Sequence, residues 1–116
     1  MNGTTSTVRR VGGASTRPIV VVNTFTPKPG ALEEFIALQT AALPGLSADL
    51  PGFRGSRLYR ADDGGKAVLV SVFETAEDFR RFMESDAFRA HRERILPLLD
   101  RADPGRYETV YEAGRI

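Results

Sequence analysis

The sequence predicts an α+β fold of the ferredoxin-like type, an antiparallel sheet in the order β-α-β-β-α-β with both helices on one face. Three observations carry this. Short β-branched runs alternate with segments of three-and-four apolar spacing in that order. Proline, glycine and aspartate cluster at the boundaries between them. The first and third strands are apolar on both parities, so neither sheet face is left wet.

The first strand is Ile19, Val20, Val21, Val22 and Phe25, too short for a helix and stopped by Pro27 and Pro29. Gly30 closes the turn into a helix whose Leu32, Phe35, Ile36, Gln39, Ala42 and Leu43 fall on one stripe, weakened at Pro44-Gly45. Pro51-Gly52 ends that connection. Phe53 to Arg60 is the second strand, and Asp62, Asp63, Gly64 and Gly65 turn it into a third, Ala67 to Glu74. Thr75 and Asp78 have the spacing of a capping box and open a helix with Phe79, Phe82 and Met83 on one face. Ser85-Asp86 caps a continuation through Phe88, Ile95, Leu96 and Leu99, disturbed by Pro97 and stopped by Asp103-Pro104-Gly105. A final strand is expected from Tyr107 to Tyr111. A sheet apolar on both faces needs a cover opposite its helices. A second copy of the chain is the economical one, so a homodimer joined sheet to sheet is expected.

At 116 residues the chain is one domain's length and can bury a core without staples. The absence of cysteine excludes disulfides, thiolate metal sites and cysteine nucleophiles. No apolar run is long enough to span a bilayer, so a soluble, cytoplasmic protein is expected, with no membrane partner. Residues 1–17 carry Arg9, Arg10 and Arg17 and no acid, which leaves 13 basic against 15 acidic side chains for the rest. The body is therefore mildly acidic, and nucleic acid is not an expected partner. Residues 1–17, rich in Ser, Thr and Gly, read as a flexible leader, 18–112 as the folded domain and 113–116 as a tail.

Several segments together resemble one family. Val22-Asn23-Thr24-Phe25 with Pro27-Lys28-Pro29-Gly30 and Glu34-Phe35, then Pro51-Gly52-Phe53-Arg54-Gly55, Val72-Phe73-Glu74 with Asp78-Phe79, Ser85-Asp86-Ala87-Phe88, and Tyr107-Glu108 are similar to the antibiotic biosynthesis monooxygenase superfamily of dimeric α+β barrels. The resemblance covers about residues 18 to 112 and implies a homodimeric α+β barrel. It spans several activities: cofactor-free oxygenases of aromatic polyketides, haem-degrading oxygenases, polyketide cyclases and proteins of no known reaction.

Asn23 is the leading candidate site residue. It interrupts an apolar strand on the parity of Ile19, Val21 and Phe25, where an amide must find a partner: backbone, water or ligand. The resemblance implies the last, with Asn23 hydrogen-bonding a substrate phenolate or enolate oxygen as the carbanion meets dioxygen. Phe25, Leu69, Phe73 and Phe82 would line the substrate cavity. Anthrone-type oxygenases carry Trp where Phe73 stands and a second Asn where Leu69 stands, so part of their polar site has no counterpart here. Arg57 and Tyr59 share one parity of the second strand. They read either as contacts for an acidic or phenolic substrate or as charges that protect a sheet edge.

His91 is the sole histidine. Haem-degrading relatives place an axial histidine one residue later, and a one-residue shift turns a helical side chain by about 100°. Flanked by Arg89, Arg92 and Arg94, His91 reads as a solvated helix residue and becomes a ligand only under the haem alternative. No other cluster has metal-ligand spacing. The combined expectation is a cofactor-independent monooxygenase of an aromatic or polyketide-like small molecule that uses dioxygen, without metal or other cofactor. The alternatives are a cyclase of the same fold, a haem-binding monooxygenase and a non-catalytic ligand-binding dimer.

Overall fold

A computed structural model describes residues 17–115. Its elements run β1 (Ile19–Pro27), α1 (Leu32–Ser47), β2 (Phe53–Arg60), β3 (Ala67–Phe73), α2 (Ala76–Met83), α3 (Asp86–Ile95), one 3₁₀ turn (Leu96–Leu98) and β4 (Leu99–Tyr107). The strands form one sheet in the order β2-β3-β1-β4, each neighbour antiparallel to the next. This is the predicted ferredoxin-like arrangement.

The register shows why both parities of the central strands are apolar. Asn23 pairs with Leu69 and Phe25 with Ala67, and these residues face the helices. Phe25, Phe35, Ala67, Ile95 and Leu99 form the buried core there, with the Phe25 and Phe35 rings 4.8 Å apart. At the other end of the same strands Phe73 packs against Phe53, Phe79 and Phe82 at 5.3–5.6 Å between centroids. The opposite parity, Val20 and Val22 on β1 and Val68, Val70 and Val72 on β3, lies on the other face, and each of these valines is only half-buried.

Local chemistry sets the helix boundaries. Thr75 Oγ1 accepts from the Asp78 backbone N–H at 3.0 Å and donates to Asp78 Oδ2 at 2.8 Å, so the capping box closes hydroxyl to carboxylate. A Cβ on Gly52 would lie 2.1 Å from the Asp78 carboxyl, and Gly52 has φ +78°, so only glycine lets the preceding loop sit on this cap. Ser85 accepts from the Phe88 N–H at 3.2 Å and starts α3 as a separate helix.

α1 runs through the expected weak point at Pro44 to Ser47, where the Thr40 carbonyl that loses its donor belongs to a residue exposed to water. One expected boundary is corrected. The last strand is Leu99–Tyr107 rather than Tyr107 to Tyr111, and Asp103-Pro104-Gly105 lies inside it instead of ending a helix. Pro97 ends α3 early through the 3₁₀ turn. β4 is an edge strand, where Pro104 can point its missing donor away from β1. The apolar pair Ile95 and Leu99, spaced like a helix, is thus the end of one element and the start of the next. Of the expected leader, Arg17 is described and pairs with Glu108; residues 1–16 lie outside the described residues, as does Ile116 at the end of the expected tail.

Candidate functional site

Between the sheet and the helices lies a cavity of ≈ 300 Å³, at the small end of the range for small-molecule sites. Its floor is the inward parity of the sheet: Asn23 and Phe25 from β1, Leu69, Ser71 and Phe73 from β3, Ala102 and Pro104 from β4, with exposed Ser56 from β2. Its wall comes from Gln39, Leu43 and Leu46 of α1, Phe82 of α2, and Phe88, His91, Arg92 and Ile95 of α3. Phe82 and Phe88 pack tilted at 4.8 Å between centroids and extend the Phe73 cluster along one end. The lining is mainly aromatic and aliphatic with a few convergent polar groups, which suits a flat, apolar ligand bearing oxygens.

Two of those polar groups are unusual. Asn23 Oδ1 is inaccessible to solvent and has no hydrogen-bond partner among the described residues. A buried amide oxygen in that state costs about 1–3 kcal/mol. It is held there because β1 pairs on both sides, with Leu69 and with Pro104, which keeps its backbone in register whatever the side chain finds.

The second is His91, and here the expectation of a solvated residue is overturned. His91 is only 4% exposed, and its Nε2 meets Oε1 of Gln39, itself 1% exposed, in a hydrogen bond from α3 to α1. An amide oxygen only accepts, so the imidazole proton is on Nε2 and the lone pair on Nδ1. Burial, and then the charge of Arg94, pushes the His91 pKa below its usual value, so the ring is neutral near pH 7. The flanking arginines misled the reading. The missed signal was spacing: His91 lies on the stripe of Phe88 and Ile95, and Gln39 on that of Phe35, so two polar residues on two buried stripes called for each other.

Of the candidate residues, Asn23, Phe25, Leu69, Phe73 and Phe82 meet in this cavity. Arg57 and Tyr59 do not. Arg57 pairs with Val70 and Tyr59 with Val68, and both face a shallow hollow on the valine side of the sheet. Ser71, Gln39 and Arg92 line the cavity without having been singled out as site residues.

A ferredoxin-like sheet with an aromatic-walled cavity under its helices does not by itself name a family, but the sequence match does. The family model for antibiotic biosynthesis monooxygenase (ABM) matches residues 18–94. The chain belongs to that family. Among solved structures, this ABM chain is similar to Rv0793 from Mycobacterium tuberculosis, with TM-score 0.74 and 26% identity over 84% of this chain and 99% of that one. It is also similar to SnoaB from Streptomyces nogalater, a cofactor-independent oxygenase, with TM-score 0.71 and 26% identity over 79% of this chain and 92% of that one. Protein SO0527 from Shewanella oneidensis shares the fold, with TM-score 0.74 and 22% identity over 83% of this chain and 94% of that one. No curated protein sequence matches it.

The haem alternative rests on His91, whose Nε2 is engaged by Gln39 while Nδ1 keeps its lone pair. Among the described residues there is no group of three or more His, Cys, Asp or Glu able to hold a metal ion. No helix of the described residues is long and apolar enough to cross a membrane.

Proposed function

We propose that this ABM chain is a cofactor-independent oxygenase of a hydroxylated aromatic small molecule of polyketide type, with dioxygen as co-substrate. The observation that carries the reading is the unpaired Asn23 oxygen inside an aromatic-walled cavity. That oxygen is closed to solvent, so a ligand pairs with it once the amide turns about Cβ–Cγ, and a phenolic hydroxyl then supplies the donor it lacks. The amide's own N–H groups can then donate to an adjacent ligand oxygen, where negative charge gathers as the ring system becomes a carbanion. Phe73, Phe82 and Phe88 offer faces for a flat ligand. The electrons come from the substrate, so the protein needs only to hold it, exclude water and stabilise that charge. The likeness to SnoaB, a cofactor-independent oxygenase, supports the same reading.

The test is dioxygen uptake with 1,8-dihydroxyanthrone in chelator-treated buffer. The reading expects uptake above the buffer rate and its loss in Asn23→Leu. Ligand binding without uptake would overturn it in favour of a ligand-binding module, and a cyclised product formed without uptake from a linear polyketide would favour a cyclase.

The sheet face of Val20, Val22, Val68, Val70 and Val72 also supports a homodimer. An apolar face of this kind needs a cover, and closed two-fold pairing of identical faces is the commonest solution.

A further inference from the structure

We propose that His91 is the general base of the cavity and removes the proton whose loss turns the bound aromatic substrate into a carbanion. The inference rests on the oxygenase reading for the substrate class, and on the cavity's composition for the rest. Among the residues that line the cavity, only His91 and Arg92 titrate, and a guanidinium cannot accept a proton. Any proton removed there by the protein must therefore go to His91.

The surroundings suit the task. Gln39, from the facing helix, accepts from Nε2–H and so fixes both the tautomer and the ring's orientation, the part an orienting group plays beside a histidine base. The charge that acts on the ring is Arg94 on its own helix, and Arg92 lines the same cavity; α1 presents the neutral Gln39, and the sheet residues of the cavity floor, Asn23, Leu69 and Ser71 among them, carry no charge. No carboxylate lines the cavity to hold the imidazolium, so the ring rests neutral and its conjugate acid gives the proton up readily.

The balanced reaction converts a ring methylene and dioxygen into a ketone and water. His91 takes one proton from the methylene, and the carbanion's electrons pass to dioxygen as the C–O bond forms. The imidazolium protonates the resulting peroxide. His91 then takes the second methylene proton as the C=O bond forms and the O–O bond breaks. The hydroxide that leaves receives that proton and departs as water.

The proton step can be read without oxygen turnover, by deuterium exchange into the methylene of 1,8-dihydroxyanthrone in D₂O under nitrogen. The wild type should exchange faster than buffer, with a rate that falls as pH drops through the His91 pKa, since the protonated ring cannot accept. His91→Gln should lower the protein-dependent rate by about 10²- to 10⁴-fold. Gln39→Glu should move the acid limb to higher pH, because a carboxylate on Nε2–H favours the imidazolium. As the sole histidine, His91 gives unambiguous imidazole NMR signals that report its pKa independently, and the acid limb must coincide with it. If His91→Gln does not fold, Gln39→Glu and the NMR titration decide. A folded His91→Gln that exchanges at the wild-type rate, or an acid limb away from the NMR value, overturns the proposal. Dioxygen uptake without exchange refutes the base and leaves the oxygenase reading standing; exchange without uptake does the reverse; neither one refutes both.

Discussion

Replacing Asn23 by leucine should make the unliganded protein more stable and the enzyme nearly inactive. Leucine keeps the branch at Cγ and the number of side-chain heavy atoms, and the cavity beside Asn23 has room for its bulkier methyl groups. What changes is the buried Oδ1, which has no partner and is closed to solvent. Removing it relieves about 1–3 kcal/mol of desolvation cost. For a domain near this size, 1 kcal/mol moves the midpoint by about 4 °C, so Tm should rise by about 4–12 °C. The same change deletes the donor that faces the developing charge, and turnover of 1,8-dihydroxyanthrone should fall by about 10²- to 10³-fold. Melting by circular dichroism and dioxygen uptake on one preparation measure both. A fall in Tm would mean that the amide is satisfied and structural, and a leucine variant with wild-type turnover would remove Asn23 from the chemistry.

Light scattering at micromolar concentration should give about twice the 12.7 kDa chain mass, and Val70→Asp, in the middle of the valine face, should lower it; a folded wild-type monomer would refute the dimer. Thr75→Ala should cost about 1 kcal/mol through the lost cap, more if Asp78 is left without its hydroxyl partner, as measured by denaturant midpoint. Gly52→Ala should cost more than about 1 kcal/mol, since its Cβ meets the Asp78 carboxyl at a positive φ. The depressed His91 pKa makes stability level at neutral pH. It should decline as pH falls below about 6.5, where the unfolded chain binds a proton that the native state refuses. His91→Gln should flatten that slope in a melting series from pH 7.5 to 5.5.

The fold was legible because its signals are local. Ile19 to Phe25 and Ala67 to Phe73 are β-branched on both parities, and Thr75 and Ser85 announce their helices by capping chemistry. β4 was misplaced because Asp103-Pro104-Gly105 is turn chemistry that an edge strand tolerates, and no residue nearby says where the sheet's edge lies. In the site, Asn23 stood out as a polar break in an apolar strand. His91 did not, because its burial depends on Gln39, 52 residues away in sequence. Arg57 and Tyr59 had the right strand and the wrong side, a matter of register that the bulge between Phe53 and Gly55 shifts.

Pro104 has a bearing on how the molecule meets its own kind. With no N–H to offer along the outer rim of β4, the chain lacks a donor at the middle of the strand that a stray segment would zip onto. The far rim, β2, carries Arg54, Arg57 and Arg60, with Arg60 tied to Glu33. Both selvedges of the sheet thus resist knitting into longer ribbons. For the proposed pairing through the valine face, contact is saturable, so rims that resist zipping would hold the assembly to a pair.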